Sequence, residues 1–116
     1  MSPEGDVVLD FAKKHQKPVM IAESNPIHGI AKDNADVWDQ WFVNYFSLIY
    51  SKNIRAISFI NEDWKRMAIA ELPADWTDAR LYNNEEVSKA WFREINKERY
   101  LKQSPELFEQ LGYSPK

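Results

Sequence analysis

Apolar positions along the chain alternate between helical and strand-like patterns. In residues 3–15 an apolar stripe of Val7, Val8 and Phe11 predicts a helix. Ser2 suits its N-cap, Pro3 its first turn, and Glu4 and Asp6 its positive dipole end. Lys13, Lys14 and His15 suit the other end. Residues 17–22 (KPVMIA) form a short apolar run without alternation, which predicts a strand buried on both faces. Residues 23–34 are rich in Ser, Asn, Pro, Gly, His and Asp and read as a loop. Asp33, Asn34 or Asp36 then caps a helix over residues 37–51. Its apolar positions include Val37, Trp38, Trp41, Phe42, Tyr45, Phe46, Leu48 and Ile49, at spacings of three and four. Residues 54–60 (IRAISFI) predict a second strand, and residues 61–84 a long functional connection. A charged amphipathic helix follows over residues 85–102, with Val87, Trp91, Ile95 and Leu101 among its apolar positions. A short last helix starts near Ser104 and stops at Gly112.

The expected fold class is therefore α/β, in the order helix-strand-helix-strand-helix-helix, with two parallel strands in a single domain over residues 1–116. Right-handed crossovers place both strand C-termini on one edge, where ligand sites of such sheets lie. The residues there are Glu23, Ser24 and Asn25 after the first strand, and Asn61, Glu62, Asp63 and Trp64 after the second.

Composition narrows the chemistry. Cysteine is absent, which excludes a disulfide scaffold, a thiolate metal site and a cysteine nucleophile. The formal charge of −3 provides no field to gather nucleic acid or an anionic membrane. The beginning of the chain has no signal-peptide pattern, and no apolar run reaches the roughly 20 residues of a membrane span. A soluble protein is expected. His15 and His28 stand alone, so neither a metal nor another cofactor is expected. The chain has no GxSxG, Walker or GxGxxG pattern. Five Trp, five Tyr and six Phe are many for 116 residues, so rings either build the core or face a ligand.

The segment from Lys17 to Ser24, then Pro26, a Trp- and Phe-rich helix and Phe59-Ile60-Asn61-Glu62-Asp63-Trp64 resemble the C-terminal part of clan A glycoside hydrolases. The endo-β-mannanase-like members, which are (β/α)8 barrels, are the most similar. Trp76-Thr77-Asp78-Ala79-Arg80, followed by a Trp-containing helix, is similar to the end of that family. The likeness runs from about Phe11 to Trp91 and corresponds to the last quarter of such a barrel, its seventh and eighth strands with flanking helices. It implies that Glu23 holds the nucleophile position of a retaining mechanism and that Trp64 stacks on sugar. The partner acid/base of that family lies on the fourth strand, which has no counterpart here. A retaining glycosidase needs two carboxyls about 5–5.5 Å apart. A chain with one of them is expected not to hydrolyse polysaccharide alone.

Each candidate also has a plainer reading. Glu23 on pattern alone is a loop residue capping a turn. Trp64 offers a pyranose an apolar face, with Asn61, Asp63, Ser24, Asn25 and His28 as polar neighbours, or covers the end of the sheet. Trp76 packs within the loop or touches sugar. Trp38, Trp41 and Trp91 read as core, and Asp78 with Arg80 as a structural ion pair. Glu62 or Asp63 as an acid in an inverting geometry is a further reading, as is a carbohydrate- or protein-binding module without chemistry. Two strands leave open edges, so completion by homo-oligomerisation is expected. Expected partners are a second copy and a β-linked polysaccharide or oligosaccharide.

Overall fold

The computed structural model describes residues 3–67 and 71–114. The described residues are mixed α/β, with four α-helices and one two-stranded parallel sheet among them. Helix α1 (Pro3–Lys14) carries Glu4 and Asp6 in its first turn and Lys13 and Lys14 in its last, as the dipole favours. Gln16 follows in the left-handed conformation (φ 53°) and stops the helix. The expected cap at Ser2 lies outside the described residues. The apolar stripe of Val7, Val8 and Phe11 is exposed on this helix, and Leu9 and Ala12 turn inward. Phe11 packs only locally, its ring 4.2 Å from that of His15.

Strand β1 (Met20–Ile21) pairs in parallel with β2 (Ala56–Ile57), Met20 opposite Ala56 and Ile21 opposite Ile57. Further bonds extend the alignment: the Arg55 amide donates to Val19 O (2.9 Å), Ser58 to Ile21 O (2.8 Å) and Ile60 to Ser24 O (2.9 Å). Both regular strands are much shorter than their apolar runs. The expectation of burial on both faces is also corrected. Val19, Ile21, Ile57 and Phe59 pack against the core, whereas Met20, Ala22 and Ala56 are exposed on the other face. A pleated strand turns alternate residues to opposite faces, and this chain covers only one.

The covered face packs under a wide π-turn (Trp38–Phe42) that runs into α2 (Val43–Ser51). No side chain caps this helix; Asn34 accepts from the Asp36 amide just ahead of it (3.1 Å). Asn53, at φ 52°, ends it. Phe42 is fully buried; Trp38 stacks on it at 5.0 Å, and Phe59 and Trp91 meet it at 5.8 and 6.1 Å. Trp38, Trp41 and Trp91 thus serve the core.

Helix α3 (Glu85–Ile95) begins at Asn84, whose Oδ1 accepts from the Val87 amide (3.1 Å). The Asn84 amide group donates to Ala31 O and Asn34 O, both at 3.0 Å, and so ties α3 to the loop after β1. Instead of running to residue 102, α3 stops at Ile95. The chain turns so that the Tyr100 hydroxyl donates to buried Glu94 (3.2 Å) while Lys97 pairs with the same carboxylate. Burial and the Glu94 charge push the Tyr100 hydroxyl up to about 12. Helix α4 (Leu107–Gln110) is a single turn, followed by Gly112 at φ 87°.

The described structure is open for its size. Its accessible surface is 9004 Å², whereas a compact chain of this mass exposes about 6,600 Å². The radius of gyration is 16.5 Å, against about 13 Å for a compact chain of this length.

Phe42→Ala should cost about 3–5 kcal/mol, because a filled site between helix and sheet would become a cavity. Urea unfolding followed by circular dichroism measures it; a loss below about 1 kcal/mol would show that Phe42 is not the centre of the packing.

Candidate functional site

Parallel pairing brings the C-terminal ends of both strands to one edge, bridged by the Ile60–Ser24 bond. Ser24 is spent on structure. Its hydroxyl donates to Ser58 O (2.8 Å), so the Tyr45 hydroxyl must be the donor in their shared 2.7 Å bond. Burial raises the Tyr45 pKa and keeps it a neutral donor. Glu23, one residue earlier, is exposed, and its carboxylate has no hydrogen-bond or ion-pair partner among the described residues.

The loop after β1 and the connection after β2 are fastened into one surface. The Thr77 hydroxyl donates to His28 O (2.8 Å), and the Ile30 amide to Asp78 O (2.7 Å). Gly29, at φ 71°, lies where a Cβ would stand 2.2 Å from Thr77 Oγ1 and 2.5 Å from Asp78 O, so no larger residue fits. Asn61 Oδ1 accepts from the Leu81 amide (2.7 Å), and the Ala79 amide donates to Glu62 O (2.9 Å). An antiparallel bridge joins Asp63 and Asp78.

Asp63, expected to meet sugar hydroxyls, is 9% exposed. Its Oδ1 accepts from the Lys65 amide (3.2 Å) and caps the 3-10 turn Trp64–Arg66; its Oδ2 accepts from Arg80 Nη2 (3.4 Å). Arg80 also grips Asp78 with Nε (2.8 Å) and Nη2, so the expected ion pair is present and gains a third member. The Arg80 guanidinium holds the Asp78 carboxyl down, from an ordinary 3.8 to about 2, and the paired carboxylates keep Arg80 charged.

Trp64 and Trp76 are half-buried and meet edge to face, 5.0 Å apart at 67°. The Trp64 indole N–H is buried without a partner among the described residues. Among the described residues the Asn25 side chain donates to the carbonyl of Pro26 alone (3.1 Å). The His28 side chain is 84% exposed, 3.8 Å from Asp75 Oδ2. The structure therefore joins Trp64 to Trp76, Asp63 to Arg80 and His28 to Asp75, while no hydrogen bond links any of them to Glu23. Residues 68–70 of the connection lie outside the described part.

Between the two post-strand loops lies an open depression of about 770 Å³. Besides His28, Asp63 and Asp78 it is lined by Lys32, Lys65, Tyr82 and Asn83. The sequence reading passed over Tyr82. Its one signal was the alternation Asp78, Arg80, Tyr82, which in extended chain places three residues on one side. Among the described residues no three His, Asp or Glu are grouped to hold a metal ion, and no helix is long and apolar enough to cross a membrane.

No known family model matches the chain. Two curated proteins are similar to it: the β-1,3-xylanase TXYA of a Vibrio species, 26% identical, and a β-1,3-xylanase of an Alcaligenes species, 24% identical. Each alignment covers 89% of this chain and 27% of the relative, so the chain spans about a quarter of the length of these relatives. Both likenesses relate the chain distantly to glycoside hydrolases. The mannanase type implied by the motifs gains no support from them.

The folded-state pKa of Asp78 is depressed, so its contribution to stability is present above about pH 4 and is lost as pH falls towards about 2. Asp78→Asn should therefore flatten the acid limb of the stability profile in that window. Equal slopes for the two proteins, from urea midpoints across the window, would remove this ion pair from the account.

Proposed function

We propose that this chain forms the nucleophile side of a retaining β-glycosidase cleft. Glu23 is its nucleophile, the Trp64–Trp76 pair an aromatic wall, and a β-linked polysaccharide its ligand. The observation that carries the reading is the exposed Glu23 carboxylate just beyond a strand C-terminus, unpaired among the described residues, in a chain similar to β-1,3-xylanases. The names of the relatives make β-1,3-xylan the first substrate to test. Retention needs a second carboxyl close to the first. Asp63, held by Arg80 and Lys65, is unsuited to the task, and the acid/base is assigned to protein beyond these residues.

On this reading the chain is a part of a (β/α)8 barrel, and the open face of its sheet is completed by further protein. Exposed Met20, Val7, Val8 and Phe11 and the excess surface favour such cover. Self-association is the form of it available to the chain alone. Light scattering on the eluting protein at micromolar concentration should report more than one copy; a clean monomer would sink self-association.

Alone, the chain should release no reducing sugar from β-1,3-xylan above background. A fluorine-substituted xylobiosyl fluoride tests the nucleophile separately, because fluoride leaves without protonation. As the C1–F bond breaks, a Glu23 carboxylate oxygen should bond to C1, giving an adduct that mass spectrometry places on Glu23 and that Glu23→Gln lacks. Label on another carboxylate, or no label, would overturn the assignment. Turnover of xylan that Glu23→Gln abolishes would overturn the dependence on further protein.

A further inference from the structure

Arg80 does more than pair with Asp78 and Asp63. Its guanidinium carbon lies 5.0 Å from the centre of the Tyr82 ring, a cation–π contact. The cation is itself immobilised by two carboxylates, so it offers the ring a fixed seat. Tyr82 is nevertheless 64% exposed, and it lines the depression between the two loops. A large aromatic ring held from one side and open on the other is pre-organised to stack on a flat apolar face. The depression also presents donors: Lys32 and Lys65, whose ammonium groups have no ion-pair partner among the described residues, and exposed His28. The combination of an aromatic floor with hydroxyl-bonding groups around it fits a pyranose, which pairs a C–H face with an equatorial hydroxyl rim. Trp64 and Trp76 do not line this depression, so it is a place apart from their aromatic pair.

We propose that Tyr82, seated on Arg80, is the platform of a separate glycosyl-binding subsite in the depression between the two loops. The subsite takes one sugar unit of a β-linked chain, beyond the unit that meets Glu23. The inference rests on the reading of this edge as carbohydrate-facing, and it does not require Glu23 to be a nucleophile.

The test is a titration of the full chain with β-1,3-xylo-oligosaccharides, followed by NMR of labelled Tyr and Trp rings. Tyr82 signals should shift with sugar. Tyr82→Ala should weaken binding about tenfold, while Tyr82→Phe, which keeps the ring, should bind as the wild type does. Residue 82 is exposed at the surface, and unchanged signals from Trp38, Trp41 and Trp91 around Phe42 check the fold of each variant. Shifts at Trp64 with Tyr82 silent, or wild-type affinity in Tyr82→Ala, would overturn the subsite and leave the Glu23 reading standing. A Tyr82 response in a protein whose Glu23 takes no glycosyl label would do the reverse. No response to any oligosaccharide at millimolar concentration would overturn the subsite.

Discussion

Phe42 is closed in on every side: Trp38 stacks on it at 5.0 Å, Trp91 comes from α3 and Phe59 from beyond β2. Two strands that pair over two residues each have too few backbone bonds to be stable alone. What holds them is their inward row of Val19, Ile21, Ile57 and Phe59 under the aromatic ridge of the π-turn and α2. Burying such a ring is worth about 1.5–3 kcal/mol from area alone, and here several rings share one cluster. Everything at the C-terminal edge of the sheet inherits its place from this packing. The chain buries one sheet face and leaves the other open, and its large accessible surface follows from that.

The edge itself is held by polar contacts of a different kind. Gly29, Ile30 and Thr77 fasten one loop to the other, and Asn84 fastens the first loop to α3. Arg80 gathers Asp63, Asp78 and Tyr82 around one cation. A buried and a half-buried carboxylate beside each other would repel, and the fork of a guanidinium satisfies both. The acidic side chains of the connection are thus held by Arg80, whereas the Glu23 carboxylate is one that no described residue restrains.

Much of the element order was legible. Helical periodicity located α1, α2 and α3, and apolar runs located both strands, because burial of one stripe or one row leaves a period in the chain. The departures share a cause. Val7, Val8 and Phe11 make an apolar stripe, yet Leu9 and Ala12 face inward, since periodicity marks a face without saying what lies opposite it. Met20 sits in an apolar run but is 55% exposed, because alternate residues of a strand face opposite sides and only one side of this sheet is covered. The end of α3 at Ile95 was hidden because it depends on Glu94 attracting Lys97 and Tyr100 once the turn forms. At the edge, Asp63 read as a free polar residue and proved to be a buried cap held by Arg80, and Tyr82 was passed over.

The sequence by itself determined the α/β order, the parallel strand pair, the aromatic core and the position of Glu23 just beyond β1. These are properties of local period, turn chemistry and the rule that parallel strands end on one edge. Tertiary structure alone decided which polar residues are structural and which are free. Asp63 and Asp78 lie 15 positions apart in the chain and become neighbours only when the connection folds back into a bridge. A carboxylate pair needing one cation, and a ring needing that same cation as its seat, are fixed by distances in space, which spacing along a chain does not encode.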